Sequence, residues 1–351
     1  MSFDVEILSV ATANPKFCVS QNEIAQLAQA MRPELRSMWS VYSHAGVETR
    51  YFCETPDWCT QPHGWGERAE SFQRNALDLL ERVALKALGS AGVKPQELDV
   101  IVTNTITGLA VPSLDARLIH RLNLSPSIER LPIFGLGCGG GIGGLSRATR
   151  LAQGMPGGKV LFLTIDLCSL CTRIGDQSPA MFVSAALFGD GAAAVLLQNT
   201  SGDHRRRNSR SPQIRAIGEW CWADTEHIMG WDMKDDGFGV VLSPELPSLL
   251  EAQLTPVINR FLDRNDMKLG NIKGFLVHPG GAKVLVTIEQ VLGISQTMLA
   301  HSWEILRQYG NMSSATALFV LERALKAGAS GPHLLAAFGP GFSAYLMLAD
   351  L

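Results

Sequence analysis

The ten residues from Gly135 to Gly144 read GLGCGGGIGG, seven glycines around a single thiol, Cys138. Few folded environments accept such a run, because glycine loses more backbone freedom on ordering than any other residue. An apolar run of strand type, Leu131 to Phe134, feeds it, and a helix-compatible run, Leu145 to Gln153, leaves it. Cys138 therefore falls at a strand-to-helix turn. A thiol there feels the partial positive charge of unpaired N–H groups, which favours thiolate. The flanking glycines let substrate approach closely and leave the N–H after the thiol free to bind an oxyanion. The alternative is a buried structural cysteine in a glycine-rich helix packed against its neighbour.

With 351 residues, the chain is long enough for one large domain or two fused ones. Hydrophobic residues at 46% and charged residues at 18% describe a core-rich soluble protein, and a net charge of -3 gives no basic signature for nucleic acid. The start, MSFDVEILSVATANP, has no basic segment followed by an apolar one, and polar residues break every apolar run short of a membrane span. The expectation is a cytoplasmic protein with no membrane span. The seven cysteines, at 18, 53, 59, 138, 168, 171 and 221, show no paired metal spacing. Cys168 and Cys171 form one lone CxxC in an apolar run, so free thiols and no metal are expected.

Taken in order, Val5 to Ala11 reads as a strand and Gln21 to Glu48 as helical, starting at Ser20 or Gln21. Arg50 to Gly64 looks like a surface excursion. Ala76 to Ala91 is an amphipathic helix ended by Gly92, and Leu98 to Thr105 and Lys159 to Leu167 are buried strands. ALFGDGAAAVLLQ, Ala186 to Gln198, turns at Gly189 to Gly191 and returns as a third strand. The polar, basic SGDHRRRNSRSP, Ser201 to Pro212, reads as an exposed connection and marks the boundary between halves 1–212 and 213–351.

The second half repeats the first in outline. Helix Leu249 to Asp263 leads to strand Ile272 to His278; a further helix leads to YGNMSSATALFVLERALKAG, Tyr309 to Gly328, and then to strand His333 to Phe338. Setting Asn311 against Cys138 aligns the halves element by element. Two equivalent helices should then meet, N-terminus to N-terminus, at the centre of a pseudo-twofold core of five layers, with Cys138 and Asn311 as neighbours. A thiol also needs a base or cationic partner to ionise at neutral pH. Of the eight histidines, His278 ends a buried strand, Phe275 to His278, and precedes a glycine turn, which is where α/β sheets place chemistry. Standing alone, it would read as a satisfied core histidine.

The strings GLGCGGG, LFGDGAAAV, HPGG, YGNMSSAT and FGPGFSA resemble those of type III polyketide synthases, the chalcone and stilbene synthase family of homodimeric condensing enzymes. The spacing fits from the first strand to the last. Initiating ketoacyl synthases of fatty-acid synthesis share the Cys, His, Asn triad but carry an HQAN-like string at the histidine, absent here. The resemblance implies an α/β, thiolase-like αβαβα fold, with the nucleophile in half 1–212 and the His and Asn in half 213–351.

The same resemblance implies iterative decarboxylative condensation of malonyl-CoA onto an acyl-CoA starter, with CoA thioesters as substrates and no further cofactor. Cys138 would hold the growing chain, while His278 and Asn311 would bind the thioester oxygen and His278 would also pair with the Cys138 thiolate. Phe188 would gate the cavity; Ile106, Cys171 and Ser313 would line it; Val111, in Ala110 to Pro112, would complete a partner's cavity across the dimer. Val240 stands where plant members carry a second gate phenylalanine, so a wider passage and a fatty acyl starter giving a pyrone or resorcinol are expected. The plant cluster of basic residues for CoA phosphates is not reproduced, which leaves Arg36 and Arg50 as candidates. The alternatives are a single-round ketoacyl synthase III-like enzyme dependent on a carrier protein, and a non-catalytic thiolase-fold partner subunit.

Overall fold

The structure, a computed structural model, describes residues 4–201 and 211–351. The N-terminal half runs β1 (Val5–Ala13), β2 (Phe17–Ser20), α1 (Gln21–Met31), α2 (Ser40–His44), β3 (Thr49–Phe52), α3 (Pro56–Cys59), α4 (Trp65–Ala91), β4 (Val100–Thr105), α5 (Leu114–Arg121), β5 (Glu129–Phe134), α6 (Gly140–Gln153), β6 (Lys159–Leu167), α7 (Pro179–Leu187) and β7 (Asp190–Asn199). The C-terminal half runs β8 (Gln213–Cys221), β9 (Met229–Lys234), β10 (Gly237–Leu242), α8 (Leu246–Asp263), β11 (Gly274–Val277), α9 (Ala282–Leu292), α10 (Ala300–Tyr309), α11 (Thr316–Lys326), β12 (Pro332–Gly339) and β13 (Ser343–Asp350).

Strand pairing writes the duplication out. In the first half β1 pairs antiparallel with β7 and β7 with β6, while β6 and β4, and β4 and β5, are parallel. In the second, β8 pairs antiparallel with β13 and β13 with β12, while β12 and β11 are parallel. Among the described residues, the second half's sheet has no counterpart of β5. A single pairing, Glu6 opposite Gln213, joins β1 to β8 and makes one nine-stranded order.

The strands are apolar on both faces, as strands sandwiched between helices must be. On β6, Leu161, Leu163 and Ile165 face an outer cluster with Phe72, Leu80 and Val83 of α4, whereas Val160 and Phe162 face a central cluster with Ile142 and Leu145 of α6. On β12 and β13, Leu335 and Met347 point to that same central cluster, and Leu334 and Leu346 to a third with Leu250 and Ile258 of α8. The layers are therefore helix, sheet, the helix pair α6 and α11, sheet, helix.

Glycine is what lets the central pair in. A Cβ on Gly141 would lie 2.2 Å from the carbonyl oxygen of Ser314, just ahead of α11, and one on Gly139 would lie 2.4 Å from the ring of Tyr345. The glycine-rich run thus serves close packing as well as the turn around Cys138, and α6 starts at Gly140, earlier than the apolar pattern indicated.

Other boundaries also differ. The helical stretch from Gln21 breaks after Met31, where Pro33 starts a separate turn. The supposed excursion after Arg50 holds β3, which pairs with β2 and buries Arg50 and Phe52. The stretch before the Gly189 turn contains α7, capped by Ser178, whose side chain accepts from the Met181 N–H. Most of the boundary segment Ser201 to Pro212 lies outside the described residues. Among the described residues no helix is long and apolar enough to cross a membrane.

Substituting Gly141 by alanine should cost about 1–3 kcal/mol, the usual range for overpacking against a backbone that cannot yield. In contrast, Gly89→Ala, at an exposed α4 position where a Cβ meets nothing within 4 Å, should gain roughly 0.5–1 kcal/mol. Urea denaturation of the two variants distinguishes these outcomes by sign.

Candidate active site

Cys138 sits in a single 3-10 turn, Gly137–Gly139, that runs straight into α6. Gly137 is left-handed at φ 52°, and a Cβ there would strike Pro340 at 2.4 Å, so the loop of the FGPGFSA string closes over the thiol's own turn. The C-terminal half mirrors this with the turn Ser313–Ala315 ahead of α11. Asn311, two residues before that turn, and Ser313 both bring their side chains within hydrogen-bonding reach of the Cys138 sulfur. The expected meeting of Cys138 and Asn311 is thus observed.

Asn311 is oriented at both ends of its amide. Its Oδ1 accepts from the Ser313 N–H at 2.8 Å, and its Nδ2 donates to the Gly280 carbonyl at 3.2 Å. That leaves one amide N–H for a ligand. Gly280 belongs to the turn after His278, and a Cβ on it would lie 4.0 Å from His278 Nε2, which places the imidazole on the same side of the site. His278 directly follows β11, donates its backbone N–H to Ala336 O at 2.8 Å, and is 2% exposed.

Burial opposes charge on each group taken singly. It pushes the Cys138 thiol up to about 11, against the hydrogen bonds from Ser313 and Asn311, and pushes the His278 imidazole down to about 3. The two ring nitrogens of His278 have no hydrogen-bond partner among the described residues. The resting pair expected from the sequence is therefore not a formed hydrogen bond, and the ring is left free to accept the thiol's proton. A thiolate and an imidazolium together carry no net charge, and that pairing offsets part of the desolvation either ion meets alone.

Two buried carboxylates, unnoticed in the sequence, brace the site. Asp166, near the end of β6, accepts from the Ile106 N–H at 2.8 Å, from Thr105 Oγ1 and Thr107 Oγ1 at 3.2 Å each, and from both the N–H (3.0 Å) and the hydroxyl of Ser314. It ties the N-terminal sheet to the turn carrying Ser313. Asp190 accepts from the N–H groups of Cys53 and Ser169 at 2.8 Å each and from Ser169 Oγ at 2.5 Å; burial pushes it up to about 6. For Asp166 the signal was present, an acid inside a largely apolar strand; Asp190 opens β7 between two glycines, where an acid reads as part of the turn.

A cavity of about 50 Å³ opens beside Cys138, lined by Ile106, Ser313, Met229 and Pro340 among others. A larger one of about 120 Å³ runs back between α1 and α7, lined by Ile24, Leu27, Met31, Cys171, Met181 and Phe182. Cys168, Phe188, Trp231 and Val240 line both. Phe188 and Val240 thus stand at the waist between the cavities, Ile106 and Ser313 at the thiol, and Cys171 deeper. Trp231 was missed: it pairs across the β9–β10 hairpin with Val240, and its indole N–H donates to Ile106 O at 2.9 Å, so width conceded at Val240 adjoins an indole.

Val111, expected to serve a partner's cavity, is 94% exposed and lines neither of these. The two arginines expected at the CoA phosphates lie elsewhere. Arg36 is exposed and lines neither cavity. Arg50 cannot bind a CoA phosphate, because its side chain is fully buried and its guanidinium donates to the carbonyls of Ala185, Ala186 and Phe188.

Residues 4–200 match the family described as chalcone and stilbene synthases, N-terminal domain, and residues 218–349 match the corresponding C-terminal domain. The chain is 35% identical over 352 residues to 1,3,6,8-tetrahydroxynaphthalene synthase of Streptomyces peucetius subsp. caesius, covering 97% of this chain and 92% of that one. It is 28% identical over 358 residues to the alpha-pyrone synthesis polyketide synthase-like Pks18 of Mycobacterium tuberculosis, covering 98% and 91%. The crystal structure of PKS-I from the brown alga Ectocarpus siliculosus superposes with a TM-score of 0.93 at 25% identity, covering 99% of this chain and 98% of that one.

His278→Ala should leave the thiol to burial alone. Iodoacetamide labelling of Cys138 is then expected to be slow at pH 7 and to rise about tenfold per pH unit towards about 11, because only the thiolate reacts. The unmodified protein should label readily at neutral pH. Superimposable pH profiles for the two proteins would show that the helix start, without the histidine, sets thiol reactivity.

Proposed function

Because the chain belongs to the chalcone and stilbene synthase family, whose type III polyketide synthases are acyltransferases that condense malonyl-CoA, we propose that Cys138 holds the growing acyl chain as a thioester and that His278 and Asn311 generate the extending enolate. The observation that carries this reading is the meeting of Cys138 with Asn311 at the starts of two pseudo-equivalent helices, beside an unpartnered imidazole. The Cys138 sulfur attacks the starter thioester, its proton passes to His278, and CoA leaves as the thiol. Malonyl-CoA binds next, its thioester oxygen accepting from the remaining Asn311 N–H and from His278. Loss of CO₂ places negative charge on that oxygen, and the enolate carbon attacks the acyl-Cys138 carbonyl, freeing the sulfur for the next round. Asn suits the task because it donates while neutral and has no acidic proton to quench the enolate.

The two cavities, which share Cys168, Phe188, Trp231 and Val240 in their walls, support a fatty acyl starter. Their shared waist is apolar apart from one thiol, and the larger runs back between α1 and α7 along Leu27, Met31 and Met181. Each methylene buried there contributes roughly 0.8 kcal/mol. The chain is then extended with malonyl units and cyclised to a pyrone or resorcinol. The relative named for alpha-pyrone synthesis is compatible with this product, and the one named for tetrahydroxynaphthalene represents the competing outcome. A homodimer is proposed as well: Val111 and Leu109, in the loop after β4, and Phe134, ending the edge strand β5, are large apolar residues at 94%, 51% and 43% exposure. Light scattering should return twice the 38.0 kDa chain mass.

Cys138→Ala is expected to abolish polyketide formation while retaining malonyl-CoA decarboxylation, and Asn311→Ala should lower decarboxylation by roughly 10²- to 10³-fold. Product formation by the Cys138 variant at the unmodified rate removes the thiol from the mechanism. For the starter, kcat/KM should rise from acetyl-CoA to dodecanoyl-CoA, and Val240→Phe should depress the dodecanoyl reaction more than the acetyl one. A flat or falling series would refute the fatty acyl reading.

A further inference from the structure

The guanidinium of Arg50 is a fully buried cation whose three hydrogen-bond acceptors are all backbone carbonyls: Ala185 O at 2.7 Å, Ala186 O at 2.8 Å and Phe188 O at 3.2 Å. Burying a charge is costly unless something nearby favours it. Here the favourable partner is the end of α7, where the last carbonyls have no helical donor and carry the negative end of the helix dipole. A planar fork suits this arrangement, because several carbonyls diverge from one helix end and a single ammonium could not reach them all.

The backbone just beyond α7 is the reason this end needs holding. Leu187 O accepts from the Asn311 N–H at 2.8 Å, and the Gly189 N–H donates to Asn311 O at 3.0 Å, so Phe188 and Asn311 form a two-residue bridge between otherwise separate segments. Glycines allow the approach: a Cβ on Gly310 would lie 2.6 Å from Leu187 O, and one on Gly189 would lie 2.8 Å from Tyr309 O. The strand carrying Arg50 grips the other side of the bridge too. Glu48 N–H donates to Arg307 O, and Thr49 Oγ1 to Gln308 O, at 2.7 Å each. Residues 48–50 therefore hold Phe188 itself, at the cavity waist, and the end of α10 three residues ahead of Asn311, at the thiol.

We propose that Arg50 is a positioning residue which, by binding the last carbonyls of α7, sets the Phe188–Asn311 bridge and thereby the placement of the Asn311 amide relative to Cys138. The proposal rests on the reading of Asn311 as an enolate-stabilising donor. It also gives Arg50 an effect on turnover without contact with substrate, in place of the phosphate-binding role the sequence suggested.

The test compares Arg50→Met and Arg50→Lys. In the methionine variant, kcat for malonyl-CoA decarboxylation should fall by roughly tenfold or more with KM within about twofold, since a misplaced donor weakens the transition state and leaves CoA binding intact. Cys138 alkylation should fall much less than decarboxylation, because Ser313, the stronger of the two side-chain donors to the sulfur, and the start of α6 still favour the thiolate. The lysine variant, which keeps the cation but reaches fewer of the three carbonyls, should recover only part of the loss, with kcat between that of the methionine variant and that of the unmodified enzyme. A KM raised with kcat kept, a parallel loss of alkylation and decarboxylation, or a lysine variant no better than methionine would overturn the proposal.

Should the methionine variant fail to fold, amide hydrogen exchange on Arg50→Lys decides. Exchange should quicken in peptides spanning 185–191 and 309–313 and stay unchanged in 137–150; unchanged exchange throughout would overturn the proposal. Undiminished decarboxylation by Asn311→Ala would instead strike the reading of Asn311, leaving the exchange data to judge Arg50.

Discussion

Everything that converges on Cys138 hangs on one buried carboxylate. Asp166 is wholly removed from solvent, and burial raises its pKa, yet every donor around it works to keep it ionised: three from the end of β4 and the residues just after it, two from Ser314. A half-satisfied acid at this depth would be among the most destabilising features a core can contain, whereas a saturated one becomes a rigid joint. The joint lies where the two halves face each other. It holds the turn of the second half, with Ser313 and the nearby Asn311, against the sheet of the first, and the thiol occupies the notch between them.

The thiols around the cavity show how one fold sorts equivalent chemistry. Cys53, Cys59, Cys168 and Cys171 are all pushed above the ordinary thiol range, chiefly by burial and then by neighbouring Asp190 or Asp166. Carboxylates beside a sulfur disfavour thiolate, so these cysteines behave as small apolar residues of the wall. Cys138 is pushed up by burial and by Asp166 as well, and it differs in standing at the start of a helix with Ser313 and Asn311 donating to its sulfur, which holds the rise to about 11. Selectivity among five neighbouring thiols comes from where the donors and acids stand.

How much of this could be read from the sequence depended on whether a residue's neighbours were close in the chain. The turn at Cys138, the histidine after β11 and the Asn before α11 each sit in a short glycine-marked string, and the duplication is legible in the element order. The features that escaped were set by distant packing. Helix α7, PAMFVSAAL, is apolar nearly all round because it is covered on several sides, so it carries no helical stripe to detect. Arg50 was taken for a surface residue because arginine is almost never fully buried without a partner. Its partners are carbonyls more than a hundred residues away, which no local pattern reveals. Trp231 lay in a hairpin whose register places it opposite Val240, a juxtaposition that exists only after folding.

The unmatched strand β5 matters beyond its place in the sheet. A chain built of two equivalent halves would present two equivalent sheet edges, and two alike edges on one molecule are the recipe for head-to-tail growth without end. Here the first half ends in β5 and the second in β11, and Phe134, the last residue of β5, is exposed. A surface that occurs once per chain would, if it met its own copy, be consumed by the meeting, so that such a contact closes after a single step. By adding one strand to one repeat, the chain makes the two ends of its sheet unlike, and an edge that has no twin on the same molecule cannot support head-to-tail growth through twin edges.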